Sequence, residues 1–338
     1  MPDHEFGFEL RVCAWVERNW EPRRPDSDVL VARQLGSYGR RWDTVVVEAD
    51  PDGLRERGAF GERELDSDLL PVVRHAPADW EWYRDALPEP DYPWRYVRQA
   101  VHRAAGRDLI EKRRNGSRIQ IRRTNAYPEW VRRIVAIENK PDLSASAADA
   151  LADQLERDVA LSLADEVWVA TEATDERVEP VLLERLPVEA GVLAFDSPDS
   201  ATVAWHPATL APDEAGTNIG DREEAACEFS VVSPAEKRAK RRQLAERAYG
   251  RGWRTYYETM RPDCRQFALR RAGADYVPYC AAKNCEQSAA ACSAGCDAFE
   301  PEPPTWRTKG WPIEGGPGTR IKEVLDEQRG RRRPTPRR

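Results

Sequence analysis

Ile134-Val-Ala-Ile-Glu-Asn-Lys140 is the stretch on which the reading of this chain turns. Four consecutive apolar residues, Ile134 to Ile137, mark a buried and central strand, and Pro141 ends it. In extended chain the side chains at i and i+2 share a face, so Glu138 and Lys140 project together from the strand end. Neither is cheap to bury alone, and each needs a partner. Lysine is also scarce, with 7 lysines against 45 arginines, so composition does not readily explain one at the end of a core strand. The arginine bias suggests a GC-rich genome.

The neighbouring segments supply a scaffold. Downstream, Ser146 to Leu163 reads as a helix with Leu151, Leu155, Val159 and Leu163 on one face. Glu166–Thr171 is a second buried strand, Val178–Leu186 a helix, and Gly191–Asp196 and Thr202–Trp205 further strands. Such alternation indicates an α/β layer with parallel neighbours. Upstream, Glu5 to Trp20 has the apolar spacing of an amphipathic helix. Val29–Leu35 and Trp42–Glu48 flank Gly36-Ser-Tyr-Gly39 and form a hairpin. Asp43 opens its second strand and is the best placed second carboxylate, ahead of Glu48 and Asp50.

Two oxygen ligands beside an ammonium suit phosphodiester hydrolysis. Mg²⁺ (or Mn²⁺) takes oxygen donors and keeps several waters, so one or two carboxylates suffice. The order helix, Asp43, Glu138-x-Lys140, then a helix–strand unit resembles the PD-(D/E)xK, restriction-endonuclease-like nuclease superfamily, RecB-like members included. The resemblance covers roughly residues 5–50 and 130–206. It implies a mixed sheet flanked by helices, with Asp43 and Glu138 on the metal and Lys140 near the attacking water. It further implies a supporting Gln, which Gln154 matches on the following helix, and a contributing Glu in the first helix, which Glu9 matches. The long gap from Asp43 to Glu138 then requires an insertion.

That insertion has its own pattern. Asp68–Arg74 and Asp79–Ala86 read as short helices, and Pro93 starts a third, Trp94 to Ala105. Leu109–Arg122 is a hairpin around Asn115-Gly116. Helices followed by a basic hairpin resemble a winged helix. Arg95 and Arg98 on the third helix, and Arg113, Arg114, Arg118 and Arg122 on the hairpin, are candidate DNA contacts. Trp80, Trp82, Tyr83, Tyr92 and Trp94 read as the core of this subdomain.

The C-terminal third carries Cys264, Cys280, Cys285, Cys292 and Cys296, five of the seven cysteines. In a cytosolic chain such clustering favours a metal over disulfides, and four thiolates suit Zn²⁺ or an iron–sulfur cluster. Some superfamily nucleases complete an iron–sulfur cluster with an early cysteine, and the resemblance offers Cys13.

The sequence thus divides into an α/β core (1–58 and 126–206), an inserted winged-helix-like subdomain (59–125), and a polar linker (207–233). A basic helix with the cysteine-rich metal module (234–300) and a Pro/Gly/Arg-rich tail (301–338), expected to be partly disordered, complete it. The formal charge of -7 does not oppose DNA binding, because basic runs are local. The acidic start Met1-Pro-Asp-His-Glu is no secretory leader and no 18-residue apolar run spans a membrane, so a cytoplasmic protein is expected. The four histidines are scattered, which gives no support to a Ser/His/Asp triad. No Gly-rich phosphate loop is present. A non-catalytic DNA-binding protein with a degenerate core is the competing reading, and oligomeric state stays open.

Overall fold

The computed structural model describes residues 2–20, 24–143, 145–172, 185–197, 200–223, 226–253, 264, 266–272, 275–287, 292 and 296–300. Helix α1 (Pro2–Asn19) leads into the hairpin β1 (Asp28–Leu35) and β2 (Trp42–Ala49). Next come α2 (Pro51–Arg57), α3 (Leu69–His75), the short β3 (Glu81–Trp82), α4 (Tyr83–Ala86) and α5 (Trp94–Gly106). Strands β4 (Ile110–Asn115) and β5 (Arg118–Arg123) precede β6 (Val131–Asn139), the strand quoted at the outset. Helix α6 (Ala145–Leu161), β7 (Glu166–Glu172), β8 (Gly191–Ser197) and β9 (Ser200–Trp205) follow. Then come β10 (Gly216–Glu223), β11 (Ala226–Val232) and α7 (Pro234–Arg251). The last strands are β12 (Phe267–Ala272), β13 (Asp275–Cys280) and β14 (Cys285–Glu286).

The central sheet has the order β1-β2-β6-β7-β8-β9. Strands β1, β2 and β6 form an antiparallel meander, and β7 and β8 run parallel to β6. Strand β9 turns back antiparallel on β8. The fold is therefore mixed α/β. The parallel step from β6 to β7 needs a crossover, and α6 supplies it. Burial follows the pleat. Val31, Val46, Val135, Ile137 and Trp168 pack against α1 and against Cys264 and Phe267. On the opposite face, Val45, Val47, Ile134 and Ala136 pack against Leu244, Ala245 and Ala248 of α7. Leu151 and Leu155 of α6 cover Val167 and Val169 of that same face.

The insertion has a separate core, with Leu69, Val101 and Ile121 almost wholly buried. Its three strands pair in the order β3-β5-β4. The helix expected over Asp79–Ala86 is shorter. Glu81 and Trp82 pair with Ile121 and Gln120, and only the last four residues are helical.

Two expectations need correction. Residues 207–233 do not form a linker: β10 and β11 make a hairpin, and a side chain at Gly216 would collide with the Leu161 carbonyl at 2.1 Å. The pattern is hidden because successive residues of β11, Glu228 to Val231, are all exposed, Phe229 and Val231 included. The basic helix is also part of the core and not of a separate module. It ends at Gly252 (φ 60°) after a capping box at Ser233 and Glu236. Glu246 is fully buried with Arg57. The expected helix Val178–Leu186 lies outside the described residues up to 184, as does the tail 301–338.

Candidate active site

The β2/β6 register pairs Thr44 with Ile137, and one step further along the same ladder Asp43 faces Glu138. Cross-strand neighbours of this kind hold their Cβ atoms about 4.5–5.5 Å apart. The Asn139 amide donates to Asp43 Oδ2 at 2.9 Å and locks the strand ends together. Lys140 follows on the same face as Glu138, and its backbone amide is tied to the Ala170 carbonyl at 2.8 Å. Its positive charge acts on Glu138.

Glu9 reaches the same place from α1. It accepts a bidentate pair from Arg33 Nε and Nη2, both at 2.9 Å. Gln34 Nε2 bridges Glu9 Oε1 (2.9 Å) and Asp43 Oδ1 (3.0 Å). Gln34 sits at φ 55°, a left-handed conformation uncommon outside glycine.

Two groups that sequence reasoning missed complete the cluster. Arg40 Nη2 donates to Glu138 Oε1 at 2.8 Å, and Arg40 also grips Asp158 of α6 through Nε (3.1 Å) and Nη2 (2.8 Å). Arg40 is delivered by the turn 36–41. A Cβ at Gly36 would meet the Arg40 carbonyl at 2.0 Å, Tyr38 and Gly39 have positive φ, and Arg247 of α7 donates to the Gly36 carbonyl at 3.0 Å. No local motif marks Arg40 or Asp158; only their alignment with the carboxylates in space does. Gln154, expected to support the site, is half-buried one turn before Asp158. Its side chain makes no hydrogen bond among the described residues, so Asp158 is the α6 residue that joins the cluster.

Electrostatically the site is over-supplied with negative charge. Burial first, then the charges of Asp43 and Asp158, push Glu138 up to about 8 against the pull of Arg40 and Lys140. Burial also raises Glu9, with Arg33 opposing and Asp43 adding. Such all-oxygen donors suit a hard divalent cation, so the residues fit Mg²⁺ or Mn²⁺ in chemistry. As placed, Arg40 and Gln34 satisfy them, and among the described residues no three His, Cys, Asp or Glu side chains stand as a ready metal cage. The weaker candidates go elsewhere: Asp50 caps α2, and Glu48 belongs to a buried ion pair with Arg133.

In the cysteine-rich segment, Cys280 pairs with Cys285 across the β13–β14 turn. Cys264, Cys280, Cys292 and Cys296 line one small cavity. Cys296 is shifted down by the Ala298 amide and by Lys283. Lys283 in turn is raised by Cys296, Cys280 and Cys285. None of these cysteines is in a disulfide. Cys13 does not line the cavity. Burial and then Glu9 push its thiol up to about 12, and it contacts Thr44 Oγ1 at 3.3 Å, which leaves it a poor thiolate.

On the insertion, Arg95 and Arg98 are exposed on α5. Arg113 and Arg122 both lie over the Trp80 ring, 4.4 and 4.8 Å from its centroid. Arg118 lies over Trp82 at 4.7 Å. Arg114 donates to the Gly116 carbonyl, and Arg122 is paired with Glu111 at 2.7 Å. Tyr83 is buried, but Tyr92 is 48% exposed, so Tyr92 is no part of the core expected of it.

Fold and site together define a mixed α/β protein with a carboxylate–lysine cluster at the end of its central strands. The chain belongs to the family of unknown function DUF5787, whose model matches residues 30–301. That span holds Asp43, Glu138, Lys140 and the five late cysteines, whereas Glu9 precedes it. No curated protein and no solved structure matches the chain. No helix among the described residues is long and apolar enough to cross a membrane.

Proposed function

We propose that this chain is a metal-dependent DNA nuclease of the PD-(D/E)xK, restriction-endonuclease-like type. The observation that carries the reading is the facing of Asp43 and Glu138 on adjacent strands, with Lys140 two residues beyond. A helix before the meander and a helix–strand unit after it support the same resemblance. Asp43 and Glu138 would hold Mg²⁺ or Mn²⁺, with Glu9 orienting Asp43 through Gln34. The ion would supply charge neutralisation and a lowered pKa for its water. Lys140 would set its ammonium against phosphate oxygens and favour the charge that develops there. Arg40 must release Glu138 for this, and Asp158 holds it bidentately when it does.

DNA is the proposed partner. Helix, strand, helix, helix and hairpin, with the sheet order β3-β5-β4, resemble a winged helix, and Arg95 and Arg98 are its exposed helix cations for phosphates. Arg113, Arg114, Arg118 and Arg122 contribute through a surface of stacked arginine and tryptophan. The cysteines would hold Zn²⁺ or an iron–sulfur cluster as a structural element. A cytoplasmic location accords with such a role.

The test uses labelled DNA with Mg²⁺ or Mn²⁺. Wild type should cleave and Lys140→Ala should not; equal background cleavage by both would end the enzyme reading. The alternative, a DNA-binding protein with a degenerate core, draws on one observation: Arg40 already pairs with Glu138 and Asp158. It predicts salt-sensitive DNA binding that survives substitution of Glu138 and Lys140, without cleavage.

A further inference from the structure

A cleft of about 680 Å³ opens between α5 of the insertion and α7 of the core, within the size range of ligand sites, about 300–1,000 Å³. Tyr92 and Tyr96 stand at its mouth, 48% and 45% exposed. Their ring centroids are 6.3 Å apart. Gln99 on α5 and Gln243 on α7 also line it, and neither amide makes a hydrogen bond among the described residues.

The lining is electrically quiet. Its arginine, Arg103, is spent on Asp66 and Asp68. His102 is held below its usual range by burial and then by Lys112 and Arg98, and its Nδ1 lies 2.7 Å from the Lys112 ammonium, which a neutral ring can accept from. Phenols, amides and a neutral imidazole select a flat, neutral group with donors and acceptors on its edge. Neither Arg95 nor Arg98 lines the cleft; Arg95 flanks it, donating to the Tyr96 hydroxyl at 2.7 Å and lying 4.7 Å from that ring's centroid, and Arg98 is exposed on the same helix. Neutral interior and basic rim together match a nucleotide within a strand: base inside, phosphates outside.

Helix α7 also runs from the cleft to the turn that carries Arg40. Gln243 lies on the α7 face between Lys240, whose ammonium is 5.7 Å from the Tyr38 ring centroid, and Arg247, which holds the Gly36 carbonyl. Both neighbours grip the turn that carries Arg40.

We infer that this cleft receives an unpaired base of single-stranded or locally opened DNA. The inference rests on the nucleic-acid reading above. Bases stack on aromatic side chains largely without regard to sequence, and amide edges add hydrogen bonds once the base is out of its helix.

The test measures binding of a short labelled oligothymidylate, a blunt duplex and free thymidine monophosphate, in Ca²⁺ to prevent cleavage. The proteins are wild type, the double variant Tyr92→Ala/Tyr96→Ala, and Gln243→Ala. Loss of the tyrosines should weaken single-strand binding about tenfold and leave duplex binding unchanged, with a smaller loss for Gln243→Ala. Single-strand binding that is unchanged in both variants overturns the inference and leaves DNA binding standing. A wild type that binds neither form of DNA overturns both. Free nucleotide bound as tightly as the strand overturns the assignment to DNA.

Discussion

The two ends of the β2–β6 pair carry contrasting charge clusters. At one end Glu48 and Arg133 face each other in register. Glu48, with no exposed surface, accepts from Arg133, from the Trp20 indole at 3.0 Å and from the Arg24 amide at 3.0 Å. Arg133 also donates to Glu166, which takes a further bond from the Trp168 indole at 3.0 Å. These groups are sealed beside the Trp20 and Trp168 rings. At the other end Glu9, Asp43, Glu138 and Asp158 share Arg33, Arg40 and Lys140, and Asp43 and Lys140 are only half-buried. The comparison teaches that burial of charge does not identify a site. Both ends carry one more carboxylate than cation; the Asp43 end differs in that solvent reaches its excess of carboxylates, and that is the better sign.

The comparison breaks if the two ends respond alike to mutation. Glu48→Ala leaves Arg133 short of a partner in a sealed environment and should cost about 3–5 kcal/mol of stability, read by denaturant unfolding. Cleavage per folded molecule should be unchanged. Asp43→Asn should do the reverse: a fall in cleavage of about a hundredfold, measured on labelled DNA, with the unfolding midpoint scarcely moved.

Protonation sharpens the contrast. Glu138 is raised from 4.5 to about 8 in the folded chain, so the folded state holds this proton more tightly than the unfolded state. The resulting stability is fully present below pH 4.5 and is lost as pH rises through about 8. In metal-free protein the melting temperature should therefore fall across that window, and Glu138→Gln should flatten the fall. The smallest effect is expected at the bridge between α1 and β2. Gln34→Asn keeps a residue that tolerates the left-handed backbone but shortens its reach. Losing the bridge should cost about 1 kcal/mol, roughly a fivefold drop in cleavage rate.

Much of the core was legible because its signals are local. Ile134–Ile137 reads as buried strand from composition alone, the hairpin from Gly36 and Gly39, and the crossover helix from the spacing of Leu151 and Leu155. The meander brought Asp43 to Glu138 because an antiparallel neighbour follows from the hairpin once the insertion is set aside. Arg40 and Asp158 were not legible: they are 118 residues apart in sequence, and neither stands in a motif. Gln154 was one turn off, because helical phase fixes a face but not which residue on it reaches the sheet end. The hairpin at 216–232 escaped because β10 is mostly polar and the described residues of both strands bury little on either face, so no apolar face marks them. The placement of α7 in the core escaped because its arginines, not its Leu244, Ala245 and Ala248, dominate its composition.

The central claim is that Asp43 and Glu138 hold a divalent ion together. Mn²⁺ binding followed by electron paramagnetic resonance tests it most directly, comparing wild type with Asp43→Asn and Glu138→Gln after any metal already bound to the purified protein has been measured. The account predicts a Mn²⁺ site in wild type that either substitution weakens at least tenfold and that strengthens as pH rises toward about 8, where Glu138 gives up its proton. A wild type that binds no Mn²⁺, or variants that bind it as well as wild type, would contradict it.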